Sequence, residues 1–121
     1  MSNVVRITAE YTGDPGVPAD EDSKIVLHAV LNGTVLQRQL WFGCFMRKQA
    51  GSVERWPFVL RPLTPDGANW LFDYGAGAAE HPDGAPEPTN LMDREIRVDS
   101  YFTVGEGKEE ATYRITEVIS L

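Results

Sequence analysis

Apolar and polar residues alternate along most of this chain with a period close to two, which is the pattern of β-strands. The i, i+3, i+4, i+7 spacing of an amphipathic helix is hard to find. The first alternating segment is 3–11, in which Val5, Ile7, Ala9 and Tyr11 share one face. This segment is predicted to be a strand with one face buried and the other in water.

Three pairs of alternating segments follow, and each pair flanks a turn signal. The pairs are 24–31 with 34–46, 56–63 with 69–74, and 94–104 with 111–119. The turn signals are Asn32-Gly33, which favours a type I′ turn, then Pro65-Asp66-Gly67, and then the glycine-containing stretch 105–108. In the last pair, the apolar residues that share one face are Ile96, Val98, Phe102 and Val104. We therefore predict three hairpins.

These segments predict a single all-β domain spanning 1–121. It contains about seven mostly antiparallel strands, arranged as a leading strand and three hairpins. Because the apolar faces must be covered, the strands form either a barrel or a two-sheet sandwich. Two stretches without strand patterning, 12–23 and 75–93, are predicted to be long loops. One short helical turn is expected near 89–94, with Thr89 or Asn90 as its cap.

Composition narrows the classes of function. The chain has 121 residues, with 11 Lys and Arg against 18 Asp and Glu, so its formal net charge is −7. An acidic chain repels phosphate backbones and anionic lipid, which disfavours nucleic acid and membranes as partners. The longest nearly apolar stretch is 40–46, far shorter than the ~20 residues of a membrane-spanning helix. With one cysteine and no secretory signal pattern, we expect a cytoplasmic protein.

No residue pattern in the chain specifies a reaction, a metal site or a cofactor. His28 lies within a predicted strand and is expected to be a hydrogen-bonded residue at the edge of the core. His81 lies beside two carboxylates in the stretch 80–83, where turn chemistry competes with a weak metal or acid–base role. Cys44 lies among apolar residues, which predicts an inert core thiol. We therefore expect no cofactor and favour a non-enzymatic role.

The segment 34–46 is apolar on both faces at its far end. Its even positions include Phe42, Cys44 and Met46, whereas its odd positions include Trp41 and Phe45. In a strand these two sets point to opposite sides of the sheet. Either a second layer covers this strand, or one of its faces is a contact surface.

Seven residues, most of them aromatic, form the candidate binding set: Trp41, Phe45, Arg47, Trp56, Trp70, Tyr74 and His81. Aromatic side chains that are exposed together form contact surfaces for protein partners or sugars. The alternative is that two of the three tryptophans fill the core. Four cations within fifteen residues would either dock an acidic group or pair with the acidic loops: Arg47, Lys48, Arg55 and Arg61.

The leading hypothesis is a non-enzymatic protein-binding or regulatory module, such as an adaptor, an inhibitor or a small phage-type accessory protein. Its partner would be another protein or a second copy of the chain, in a homodimer that covers the two-sided strand. One alternative is a small-molecule-binding or enzymatic barrel, with Trp56, Trp70 and Tyr74 lining a pocket under the 75–93 loop. Another alternative is a self-assembling structural component.

Overall fold

The computed structural model describes residues 3–13, 20–49, 51–67, 69–75, 86–107 and 110–121. These residues form a closed eight-stranded antiparallel β-barrel with one additional short strand. The strands are β1 (Asn3–Gly13), β2 (Asp20–Asn32), β3 (Val35–Leu36), β4 (Trp41–Gln49), β5 (Ser52–Pro62), β6 (Trp70–Asp73), β7 (Glu87–Thr89), β8 (Tyr101–Val104) and β9 (Ala111–Ser120). The all-β prediction is confirmed, and the barrel is the arrangement adopted.

The sheet closes because β1 pairs with β2 along one edge and with β9 along the other. The order around the barrel is β1, β9, β8, β7, β6, β5, β4, β2, and all of these pairings are antiparallel. The ninth strand, β3, pairs with the end of β2. Closing a sheet in this way pairs the edges through which open sheets aggregate.

Alternate residues of the strands point into the barrel and form one apolar core. The buried apolar side chains of β1, β2 and β5 are Val5, Ile7, Ala9, Ile25, Leu27, Ala29, Trp56, Phe58 and Leu60. Aromatic rings occupy much of the interior. Phe58 stacks on Phe72 with ring centroids 4.3 Å apart, and Phe102 stacks on Tyr113 at 5.7 Å. Large aromatic side chains thus supply much of the buried apolar area of this small core.

The first predicted hairpin forms, but its turn and its second strand differ from the prediction. Asn32 pairs with Val35, so the central turn residues are Gly33 and Thr34 rather than Asn32 and Gly33. Gly33 has a φ of +68° and Thr34 does not have a positive φ, which fits a type II′ turn instead of type I′. The single strand predicted after this turn is divided into β3 and β4 by residues 37–40.

The second predicted hairpin, between β5 and β6, is confirmed. Its turn contains Gly67, which has a φ of +72° and donates its N–H to the Thr64 carbonyl at 3.0 Å. A further hairpin, absent from the sequence-based prediction, joins β4 to β5. Gln49 pairs with Ser52 across this turn, and Gly51 supplies a φ of +82°. Both turns therefore depend on a glycine in the left-handed region.

The third predicted hairpin is shorter than the sequence indicates. β8 begins at Tyr101 rather than near residue 94, because Asp99 adopts a φ of +73° and interrupts the extended chain. Val98, predicted to face the core, is consequently 52% exposed. Tyr11 also faces outward, contrary to the prediction, since a register shift just before it gives the buried position to Thr12.

Both stretches predicted to be loops contain strand residues at their ends. β2 begins at Asp20, within the first predicted loop, and β7 lies within the second. The central parts of these two stretches, 14–19 and 76–85, lie outside the described residues. The predicted loop boundaries were therefore too wide by several residues, because the short strand ends carry little alternation of their own.

The short helical turn predicted near 89–94 is confirmed between β7 and β8. It is a 3₁₀ turn over Leu91–Asp93, preceded by Asn90. The Leu91 N–H donates to Thr89 Oγ1 at 3.2 Å, so one of the two predicted capping residues satisfies a free backbone donor of the turn. The Leu91 and Met92 side chains join the core.

β7 is joined to β8 largely through side chains. Among the described residues, one backbone pair, at Thr89, links the two strands. Pro88 has no N–H to donate, although its carbonyl accepts from the Gly105 N–H at 2.7 Å. The Thr89 hydroxyl donates to the Thr103 carbonyl at 2.8 Å, and Asn90 Oδ1 accepts from the Thr103 N–H at 2.8 Å. Two side chains therefore take the place of ladder hydrogen bonds at this seam.

Replacing Asn90 with alanine removes the acceptor of the Thr103 N–H. We expect the Asn90→Ala variant to lose about 1–3 kcal/mol of unfolding free energy, because a partly buried backbone donor is left without a partner. Urea unfolding followed by tryptophan fluorescence measures this loss. Gln39→Ala, at an exposed position, is the control. A loss below about 0.5 kcal/mol would show that the seam does not depend on Asn90.

Gly43 makes room in β4 for a ring of the core. A Cβ atom at this position would lie 2.6 Å from the Val26 carbonyl oxygen and 2.7 Å from Phe58 Cζ. The carbonyl belongs to the neighbouring strand β2, so it cannot retreat without disturbing the sheet. Glycine is therefore required here for close approach, not for turn geometry.

Replacing Gly43 with alanine should lower the free energy of unfolding by about 1–3 kcal/mol, since the added methyl group overpacks the barrel wall. Chemical denaturation measures the change. Cys44→Ala, at the next residue and on the other side of the sheet, serves as the matched control. Equal stability of the two variants would contradict the steric role given to Gly43.

Candidate binding surface

The outward side of β2, β4 and β5 forms a largely apolar sheet surface with cations at one end, named here the outer face. Strand register places its residues in three cross-strand rows: His28, Phe42 and Val59; then Val26, Cys44 and Pro57; then Lys24, Met46 and Arg55. Cross-strand neighbours on one side of a sheet lie about 5 Å apart, so the rows form a continuous surface.

Phe42 is the most prominent apolar residue of this surface. Its side chain is 66% exposed, more than any other large apolar residue that the structure describes. The prediction that β4 is apolar on both sides is confirmed, because Trp41 and Phe45 pack against the core while Phe42 points outward. No other element of the described chain pairs over the outer face. Phe42 and Pro57 are exposed on this surface, and Val26, Cys44, Met46 and Val59 are partly exposed, so the described residues leave an apolar surface in contact with water.

Two adjoining clefts run across the outer face. The larger, about 340 Å³, is lined by Val26, His28, Phe42, Gly43, Cys44, Met46 and Arg55. The smaller, about 270 Å³, is lined by Asp22, Lys24, Met46, Lys48, Val53 and Arg55. Because Met46 and Arg55 line both, the two clefts meet at this cross-strand pair. The larger cleft is mainly apolar, whereas the smaller one combines three cations with one carboxylate and the apolar side chains of Met46 and Val53.

The charge of the outer face is opposite to that of the whole chain. Lys24, Lys48 and Arg55 lie in or beside the smaller cleft, which contains one carboxylate, that of Asp22. None of the three cations forms an ion pair with a residue that the structure describes. The full chain carries a net charge of −7. The smaller cleft is therefore a local cationic site on an acidic protein.

His28 and Cys44 both lie on the outer face rather than at the core. His28 is exposed, contrary to the expectation of a residue at the edge of the core, because the alternation of β2 turns Leu27 and Ala29 inward instead. Cys44 is half-buried on the outer side of the barrel wall, so the predicted core thiol is also wrong. Partial burial raises the pKa of the Cys44 thiol, which keeps it in the weakly nucleophilic form.

Trp41 and Phe45, two residues of the predicted binding set, turn toward the interior. Both pack against the core, and the Trp41 Nε1–H donates to the Gln37 carbonyl at 2.8 Å. The ring of Phe45 lies 5.4 Å from that of Trp56. These side chains do not form the exposed aromatic platform considered from the sequence, because the odd positions of β4 face inward when the barrel closes.

Arg47 and Trp56, also predicted to contribute to binding, contact each other. The Arg47 guanidinium lies over the Trp56 ring, 5.4 Å from its centroid. Arg47 Nε is buried and has no hydrogen-bond partner among the residues that the structure describes. Trp56 itself is buried, so little of its indole ring is accessible to a partner.

None of the clefts lined by described residues brings Trp56, Trp70 and Tyr74 together. Trp56 and Trp70 are both buried, which confirms the interpretation that two tryptophans fill the core. Trp70 pairs with Pro62, six residues along β5 from Trp56, or roughly 20 Å. The Tyr74 hydroxyl donates to Glu87 Oε1 at 2.9 Å, and burial raises the pKa of Tyr74.

The remaining predicted residue, His81, lies outside the described residues. Within the part of the chain that the structure describes, no group of three or more His, Cys, Asp or Glu side chains is placed to hold a metal ion. In that same part, no helix has the length and apolar character required to cross a membrane.

Comparison with known proteins assigns no family. The chain has no significant match to a protein-family model, to a curated protein or to a solved structure.

The Arg61–Asp73 ion pair lies beside the outer face, on β5 and β6. Arg61 Nε donates to Asp73 Oδ2 at 2.7 Å, and the Gly75 N–H donates to Asp73 Oδ1 at 2.9 Å. Both bonds favour the charged carboxylate and so lower the pKa of Asp73 below its ordinary value. A lowered pKa in the folded state stabilises the protein above the unfolded-state pKa, and this contribution is lost as the pH falls through the folded-state value.

Asp73→Asn should therefore destabilise the protein most near neutral pH. We expect the difference in unfolding free energy from the wild type to be complete above about pH 5 and to shrink toward pH 2, because the unfolded carboxyl titrates near pH 3.9. Urea unfolding at a series of pH values measures this difference. Arg61→Gln should remove the larger part of the same pH dependence and leave the part that comes from the Gly75 N–H. A difference that stays constant from pH 6 to pH 2 would rule out this pairing.

Proposed function

We propose that this chain is a non-enzymatic binding module of the cytoplasm, and that its outer face docks an acidic partner protein. The observation that carries this proposal is Phe42, which is 66% exposed within rows of further apolar side chains. A continuous apolar surface rimmed by polar groups is typical of protein-interaction sites. A single exposed aromatic residue on a rigid sheet is also the kind of anchor that concentrates binding energy.

The rigidity of the barrel supports a preformed site. β4 is paired on both sides, with β2 from Ser23 to His28 and with β5 along its whole length. The side chains of the outer face are therefore held at fixed spacing before a partner arrives. A preorganised surface loses less conformational entropy on binding than a loop does.

Charge favours an acidic protein over a second copy of this chain. Two copies packed face to face about a two-fold axis parallel to β4 would bring Lys24, Lys48 and Arg55 of one copy toward those of the other. An axis across the strands would set these cations against the row of His28, Phe42 and Val59, which offers them no carboxylate. A partner with carboxylates around an apolar anchor would instead meet opposite charges. Nucleic acid would also be attracted to these cations, but the net charge of −7 opposes its approach to the rest of the surface.

Phe42→Ser should abolish partner binding without unfolding the barrel. We expect peptides selected from a random display library on the wild-type chain to bind the Phe42→Ser variant at least tenfold more weakly, because the apolar anchor is lost. Fluorescence anisotropy measures the affinities. The stability of this variant should change by less than about 0.5 kcal/mol, because an exposed side chain is replaced.

Val98→Ser is the matched control, because Val98 is an exposed apolar residue outside the outer face, with 52% of its side chain accessible. It should bind the selected peptides as the wild type does. Selected peptides that bind Phe42→Ser and wild type equally would overturn the proposal. A dimer in sedimentation velocity that Phe42→Ser dissociates would also overturn it, in favour of a second copy as the occupant of the outer face.

A further inference from the structure

We infer that the partner contributes an extended segment with an apolar side chain and a carboxylate four residues apart. This inference rests on the proposed function and specifies the chemistry of the partner. It follows from the two clefts of the outer face, which differ in character and lie at a fixed distance from each other.

The larger cleft is suited to an apolar side chain. Val26, Phe42 and Cys44 line it, together with the backbone of Gly43. His28 and Arg55 are the polar residues of its lining. Its volume of about 340 Å³ accepts a leucine or phenylalanine side chain, whose transfer from water is favourable by about 1.5–3 kcal/mol when burial is complete.

The smaller cleft is suited to a carboxylate. Lys24, Lys48 and Arg55 surround it, together with one carboxylate, Asp22. The three cations have no ion-pair partner among the described residues, so a carboxylate from outside would not have to displace one from them. Charge-assisted hydrogen bonds from lysine and arginine to a carboxylate are roughly twice as strong as neutral ones.

The strand register sets the spacing between these two sites. The β4 residues that line the apolar cleft run from Phe42 to Met46 with Cys44 in the middle, and Lys48, which lines the cationic cleft, lies four residues beyond Cys44. This separation is roughly 13 Å at the rise of an extended chain. A second extended segment lying along β4 covers the same distance in four residues, and its residues i and i+4 point to the same side.

A helical segment meets the same two sites less well. It rises 1.5 Å per residue, so about nine residues are required to span roughly 13 Å. Residues i and i+4 of a helix lie only about 5–6 Å apart. The spacing of the apolar residue and the carboxylate in a bound peptide therefore discriminates an extended from a helical partner.

Three nine-residue peptides of serine and threonine test this inference. Each carries one phenylalanine and one glutamate, placed at i and i+4, at i and i+3, or at i and i+8. Titration into the ¹⁵N-labelled full chain, followed by NMR, reports both the Kd and the residues whose amide signals move. We expect the i, i+4 peptide to bind at least tenfold more tightly than the i, i+3 peptide, whose two side chains point to opposite sides.

Lys48→Glu should weaken the i, i+4 peptide at least tenfold, since it places a like charge in the cationic cleft. Arg97→Glu is the matched control, because it makes the same charge change at an exposed residue outside the outer face. We expect the Kd of the Arg97→Glu variant for this peptide to match that of the wild type.

Binding of the i, i+4 peptide should also protect Cys44, the single cysteine of the chain, from alkylation by iodoacetamide. Raising the salt concentration should weaken binding to the wild type more than binding to Lys48→Glu.

Equal binding of the i, i+3 and i, i+4 peptides, or equal weakening by Lys48→Glu and Arg97→Glu, would overturn the inference. Tightest binding of the i, i+8 peptide would also overturn it, because the two side chains of that extended peptide lie roughly 26 Å apart. These outcomes are separable from failure of the proposed function, because the library selection imposes no spacing. If binding of the library peptides depends on Phe42 but not on Lys48, the proposed binding function is supported and the inference of two-site recognition is wrong.

Discussion

Closure of the sheet on itself, through the pairing of β1 with both β2 and β9, decides which side of each strand meets water. Once the barrel is closed, every strand has one side in a crowded interior and one side outside. For β4 this constraint is decisive, because both of its sides are apolar. Its odd positions, including Trp41 and Phe45, enter the core, and Phe42 is left 66% exposed. The outer face is thus a consequence of barrel topology as much as of residue composition.

Two local features keep the wall of the closed barrel continuous, one in β4 and one at β7. At β4, Gly43 allows the ring of Phe58 and the backbone of β2 to approach closely, so the wall stays thin beneath the outer face. At β7, where a proline occupies a three-residue strand, the hydroxyl of Thr89 and the amide of Asn90 complete the bonding to β8. Both features keep the sheet continuous where regular pairing would fail.

An apolar surface on a small acidic protein carries a risk of self-association. Here the risk is reduced by the position of the cations, since Lys24, Lys48 and Arg55 cluster at one end of the outer face. Like charges oppose a pair of chains whose cationic ends meet, whereas they attract a partner with carboxylates. The same residues therefore disfavour one occupant and favour another, which is how charged rims commonly contribute to specificity.

The sequence by itself determined the all-β class, the β5–β6 hairpin, the 3₁₀ turn and the two-sided character of β4, because alternation and turn residues act over a few neighbouring positions. Only the tertiary structure decided barrel closure, the short strand β7, and the outward placement of Tyr11 and Val98. These depend on pairing between distant segments, on a register shift in β1 and on the positive φ of Asp99. For the candidate site, the sequence was sufficient to predict that β4 is a strand with two apolar sides. It was not sufficient to predict which side faces outward, since a period of two cannot distinguish inside from outside when both sides are apolar.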